Sequence, residues 1–183
     1  RAINITQDTD DPILKISSNT DASNGQYNVT VNKLATTSKV EGVFDSSTES
    51  LITEDGTLTL TAGDGNEFTV DVKKGDTLQQ IRKRINNASD NFGLTANIVN
   101  TSDGKAKLVI DSGVTGAGND LKISGSTTEL KMFEADTSSA TAVSGSSMSR
   151  TQQSTNAEID VDGNILTSDT NTFEDKVQGL DIT

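Results

Sequence analysis

Apolar residues in this chain recur again and again at every second position. Leu58 and Leu60 share a face in TLTL (57–60), Phe68, Val70 and Val72 align in FTVDV (68–72), and Tyr27, Val29 and Val31 do the same in YNVTVNKLA (27–35). A period of two puts such side chains on one side of an extended strand. A chain written this way folds mainly into antiparallel sheets with one buried face. The turns agree. AGDGNE (62–67) joins the strands around Leu60 and Phe68, and TSDGK (101–105) joins LTANIVN (94–100) to AKLVID (106–111); Gly and Asn there accept positive φ. AINIT (2–6), ILKI (13–16) after Pro12, DLKIS (120–124), ELKMF (129–133), AEIDVDG (157–163), ILT (165–167) and LDIT (180–183) read as further strands.

The clearest departure from this period starts at Thr77. Thr77 and Gln80 have the spacing of a capping box, and Leu78, Ile81 and Ile85 form one narrow apolar stripe. Arg82, Lys83 and Arg84 fall on the other sides, toward the C-terminal end, where cations suit the helix dipole. Asn86, Asn87 and Gly93 are expected to end the helix through left-handed backbone. A second, short helix is expected over TFEDKVQG (172–179), with Phe173 and Val177 one turn apart. The fold class is therefore α+β, mainly antiparallel β. Residues 134–156 are almost wholly Ser, Thr, Ala and Gln, with only Val143 and Met148 as larger apolar groups, and are expected to be a linker or mobile loop.

The strands before Leu51 and after Arg150 lack the apolar surface to stand alone, since isolated hairpins are marginal. Two modules follow: a discontinuous one from 1–50 plus 151–183, and an inserted hairpin–helix–hairpin module over 51–150. Composition narrows the chemistry. With no His and no Cys, there is no Ser-His-Asp or Cys-His catalysis, no zinc finger and no disulfide. A net charge of −12 opposes nucleic acid and anionic membranes, and no apolar run approaches the ~20 residues of a membrane span. Only 31% of the residues are hydrophobic and 3% aromatic, which makes the core lean. The chain opens with Arg1 rather than Met and reads as an excised fragment.

Three blocks carry a resemblance. They are YNVTVNKLATTSK (27–39), the run from GTLTL (56–60) through GDTLQQIRKRIN (75–86) and LTANIV (94–99) to KLVI (107–110) and TGAGNDLKI (115–123), and NAEIDVDGNILTSDTNTFEDKVQGLDIT (156–183). Together they resemble the head region of flagellar filament cap proteins, members of the flagellar hook-associated family. The resemblance implies a structural, non-enzymatic protein without cofactors, exported unfolded through the flagellar secretion channel to the extracellular filament tip. There the family assembles into a ring and helps flagellin subunits to fold into place. The rival reading is an adhesive β-rich surface domain that binds host glycans.

Few residues suggest a site. Asp8, Asp10 and Asp11 have hard oxygens that suit Ca²⁺, but a solvated acidic turn before Pro12 accounts for them. Asp160, Asp162 and Asn164 surround Gly163, with the glycine misplaced for a calcium loop and no glutamate to close it, so a β-turn is expected. GDGNE (63–67) and TGAGND (115–120) lack the lysine–hydroxyl pair of a phosphate loop and read as turns. No metal or catalytic residue is assigned. Lys73, Lys74, Arg82, Lys83 and Arg84 are the one basic concentration. They are either a contact for an acidic partner, such as a neighbouring subunit or flagellin, or simply the polar face of an amphipathic helix.

Overall fold

A computed structural model gives the fold; the structure describes residues 2–7, 16–18, 26–177 and 180–182, with side chains from 27 to 173. In chain order the strands are β1 (Ala2–Gln7), β2 (Ile16–Ser18), β3 (Gln26–Lys33), β4 (Thr37–Phe44), β5 (Gly56–Ala62) and β6 (Glu67–Val72). Helix α1 (Leu78–Asn87) follows, then β7 (Thr95–Asn100), β8 (Ala106–Thr115) and β9 (Leu121–Gly125). A 3₁₀ turn (Glu129–Phe133) precedes β10 (Ala135–Asp136), β11 (Met148–Gln152), β12 (Ala157–Val161), β13 (Asn164–Ser168), β14 (Phe173–Val177) and β15 (Leu180–Ile182). The α+β, mainly antiparallel class is what the structure shows.

The chain divides into two units. Unit 1 holds 1–36, 115–117 and 155–183; unit 2 holds 37–114 and 118–154. In unit 1 one sheet runs β1-β3-β12-β13, with β1 parallel to β3 and the other pairs antiparallel, and a smaller sheet runs β14-β15-β2. Alternation does the packing. Val29 and Val31 of β3 and Ala157, Ile159 and Val161 of β12 point inward with Ala35 and Phe173. Tyr27, Leu34 and Leu166 pack at the margin of this small core.

Unit 2 contains two four-stranded sheets, β10-β9-β5-β6 and β11-β4-β8-β7, whose inward residues share one buried cluster with Leu78, Ile81 and Ile85 of α1. Each of those fully buried helix side chains contributes roughly 1.5–3 kcal/mol by leaving water. Phe44 stacks on Phe133 at 5.3 Å, and Phe68 meets Phe92 edge-on at 5.5 Å. The capping box forms as expected: Thr77 Oγ1 accepts from the Gln80 amide at 3.1 Å, and Gln80 Oε1 accepts from the Thr77 amide at 2.9 Å.

Four expectations need correction. ELKMF (129–133) is a 3₁₀ turn rather than a strand, because it buries Leu130 and Phe133, three residues apart, instead of alternate positions. Residues 173–177 of the segment expected as a helix form β14. Phe173 is fully buried and pairs with Ile182, so strand pairing outweighs a one-turn apolar spacing; residues 178–179 lie outside the described residues. Asn86 and Asn87 do not turn left-handed, and Ala88 closes α1 with φ −59° and ψ 131°. Of the three residues expected there only Gly93, beyond the helix, takes a positive φ of 114°, and the Asn91 amide caps Ile85 O at 2.9 Å.

The last correction concerns 134–156, which carries β10 and β11. Met148 is buried among the core residues of unit 2. Ser146 Oγ donates to Glu134 O at 2.6 Å, and Arg150 Nη1 to Thr137 O at 3.1 Å. Hydroxyls answer the backbone here where apolar burial is scarce. One strand, β4, was not anticipated. Its inward residues are Ser38, Val40, Gly42 and Phe44, and a Cβ on Gly42 would meet Met148 Sδ at 2.5 Å.

Candidate functional site

The five basic residues come from two neighbouring places. Lys73 and Lys74 lie in the turn leaving β6; Arg82, Lys83 and Arg84 lie on α1. The turn is built tightly. Lys73 N donates to Asp76 Oδ2 at 2.7 Å, Gly75 takes φ 89° and donates to Ile52 O at 2.7 Å, and Lys74 N donates to Asp55 Oδ1 at 2.8 Å. The two lysine side chains are thereby left exposed at the tip.

Arg84 has a different place from the other four. Its guanidinium holds Asp76 through both nitrogens, Nη2 reaching Oδ1 at 2.8 Å and Nη1 bonding Oδ2, while Nη1 also donates to Asp71 O at 3.2 Å. The Asp76 side chain is only 5% exposed, so this is a charge pair sunk into the fold. Burial pushes the Asp76 carboxyl up. The Arg84 guanidinium, the Lys73 amide and the charges of both residues together outweigh it and hold the group below the usual carboxylate range. The same hydrogen bond raises Arg84 further. Arg82 is half-buried, with Nε on Gln79 Oε1 at 3.2 Å, and Lys83 is exposed. The structure therefore presents Lys73, Lys74 and Lys83 outward and ties Arg84 inward. Asp76 was not singled out from the sequence. Its signal was an acid directly before a capping threonine, behind a turn glycine.

Beside Arg84 lies an open cleft of about 350 Å³, lined by Thr69, Asp71, Arg84, Asn87, Ser89 and Asp90. Val70 and Ala88 add apolar patches between these polar groups. The Asp162–Gly163 turn expected from the sequence is present, with φ of 51° and 87°. Its acids are engaged within the fold: Asp160 Oδ1 accepts from Gly163 N at 2.7 Å and Asp162 Oδ1 from Asn28 N at 2.9 Å. Among the described residues, no group of three His, Cys, Asp or Glu side chains gathers at metal-binding distance. Asp8, Asp10 and Asp11 lie outside the described residues.

Residues 57–114, from β5 through α1 almost to the end of β8, match the family model of the flagellin hook IN motif. Across all 183 residues the chain is 61% identical to flagellar hook-associated protein 2 of Aeromonas caviae. The chain belongs to the flagellar hook-associated protein 2 family. It spans 38% of the length of that relative, and 38% of the B-type member from Pseudomonas aeruginosa, to which it is 32% identical. The solved members of the family share the fold. The D2–D3 domains of the flagellar cap protein from Serratia marcescens superpose with a TM-score of 0.77 at 29% identity, over 92% of this chain and 90% of that one. FliD from Pseudomonas aeruginosa PAO1 gives 0.80 at 27%, over 94% and 78%. The family resemblance read from 27–39, 56–123 and 156–183 is thus confirmed.

Proposed function

We propose that this chain is a structural part of the flagellar cap, placed outside the cell at the filament tip, where it touches neighbouring cap subunits and arriving flagellin. The observation that carries the reading is 61% identity, over all 183 residues of this chain, to a flagellar hook-associated protein 2. A polar exterior is consistent with work by contact rather than by turnover. The exposed side chains of Lys73, Lys74 and Lys83, with Arg82 beside them, form the contact for an acidic partner surface; Arg84 supports that surface from beneath through Asp76. Such a contact weakens as salt is added.

Removing the encoding gene from its bacterium tests the role. Flagellin released as monomer, with no filament built, is the expected result; normal filaments with lost attachment to host surfaces would instead make the protein an adhesin. Reversing Arg82 and Lys83 to Glu tests the contact, and filament growth should fall while the fold, followed by circular dichroism, stays intact. Unchanged growth would leave these residues as no more than a solvated helix face.

A further inference from the structure

Strand β13 is the last strand of the larger sheet of unit 1, with β12 as its sheet neighbour. The turn before it decides which backbone groups look outward. Asp162 and Gly163, both at positive φ, make a two-residue connection, so Val161 and Asn164 exchange hydrogen bonds across the ladder. Counting along the register, Leu166 and Ser168 also bond toward β12, while the amides and carbonyls of Ile165 and Thr167 point away from it. Both of those side chains are exposed, Ile165 by 54%.

Natural sheets blunt such an edge with charge, proline or a bulge. The sequence NILTS has no charge and no proline, and the β12–β13 register runs without a shift. Unit 2 treats two of its edges otherwise. On β7, Asn86 accepts from Ala96 N and donates to Ala96 O, both at 2.8 Å, and on β6, Arg84 donates to Asp71 O. Among the described residues, nothing bonds to the outward amides and carbonyls of Ile165 and Thr167, whereas the β6 and β7 edges are plugged.

The surroundings say what suits it. Asp160 lies opposite Ile165 and Glu158 opposite Thr167, Asp162 and Asp169 bracket the strand, and residues 156–173 contain no Lys or Arg. Unit 1 as a whole carries four Lys and Arg against eleven Asp and Glu. A second copy would bring the same acidic sheet and be repelled. We propose that the β13 edge takes up an extended cationic polypeptide segment as an added strand. Its backbone pairs with Ile165 and Thr167, an apolar side chain covers Ile165, and its Lys or Arg stems cross β13 toward Asp160 and Glu158.

The probe is a blocked six-residue peptide alternating lysine and valine, titrated into the ¹⁵N-labelled chain at low salt. Amide shifts should concentrate at Ile165, Thr167 and their β12 partners. A glutamate–valine peptide should bind at least tenfold more weakly, and so should the lysine peptide to a chain carrying Glu158→Gln and Asp160→Asn. Thr167→Pro removes an outward amide without costing a bond to β12 and should weaken binding about tenfold; Ile165→Lys, at an exposed position, supplies the same block if the proline variant melts early. Equal binding of both peptides, shifts centred away from β13, or undiminished affinity in both edge variants would overturn the proposal. So would concentration-dependent self-association that the edge variants abolish while the lysine peptide fails to bind, because the occupant would then be a second copy.

Discussion

Replacing Arg84 with Met keeps most of the aliphatic stem and removes the charge that faces Asp76. Breaking a buried ion pair from one side costs about 3–5 kcal/mol, because the remaining charge is left without compensation. Two features lower that figure here. The Arg84 side chain is 38% exposed, so water screens its end of the pair, and Asp76 keeps the Lys73 amide at 2.7 Å. About 2 kcal/mol is the expected loss near pH 7, or roughly 4–8 °C in Tm for a chain of this size. Thermal melts by circular dichroism, with hydrogen exchange at the amides of Ile81 and Ile85 to follow unit 2 alone, measure it. The pH dependence has a definite sign. A carboxyl whose pKa is lower in the folded than the unfolded chain stabilises the fold above its unfolded value, about 3.9. That contribution falls as the pH drops below about 4 and is gone once the pH has passed the folded value. The gap between wild type and R84M should therefore narrow with acid. Adding Asp76→Asn to R84M should cost little more than R84M alone. A loss below about 0.5 kcal/mol at pH 7, or a gap that widens from pH 5 to pH 2, would refute this account of the pair.

Two further outcomes follow from the packing. Thr137→Val keeps the side-chain shape but removes the Oγ1 that accepts from Leu121 N at 2.8 Å and donates to Ser38 Oγ at 3.1 Å in a buried network; urea unfolding should show a loss of about 1–3 kcal/mol, and no loss would mean that water replaces the hydroxyl. A chain ending at residue 150 lacks β12, the strand between β3 and β13. Amides of Val29 and Val31 should then lose their hydrogen-exchange protection, and retained protection would show that residues before Thr37 hold together without the far end of the chain.

The elements legible in the sequence were those whose information is local. The β5–β6 and β7–β8 hairpins, the Asp162–Gly163 turn and the Thr77–Gln80 capping box each depend on residues within a few positions of one another. The rest depends on partners far along the chain. β4 was hidden because two of its inward positions are Ser38 and Gly42; Ser38 N bonds to Ser112 Oγ at 3.1 Å, and Gly42 yields space to Met148. Residues 134–156 looked too poor in apolar groups to order, and what orders them is the burial of Ala135 and Met148 together with hydroxyl-to-backbone bonds invisible to hydropathy. β14 carried a helical spacing that pairing with β15 overrode. At the basic cluster the charges were visible, but not the buried acid that sets Arg84 apart. Asp76 declares itself only when residues eight positions apart meet across the start of α1.

Helix α1 has a consequence beyond its own stability. Through Arg84 it closes off β6 and through Asn86 it closes off β7, so one ten-residue element stands guard over the margins of two sheets at once. If it frays, both margins are bared in the same event, and two sticky borders become available to any neighbouring chain. Variants that loosen this helix should therefore clump before they fully melt, and a screen for turbidity would notice them earlier than a screen for lost secondary structure.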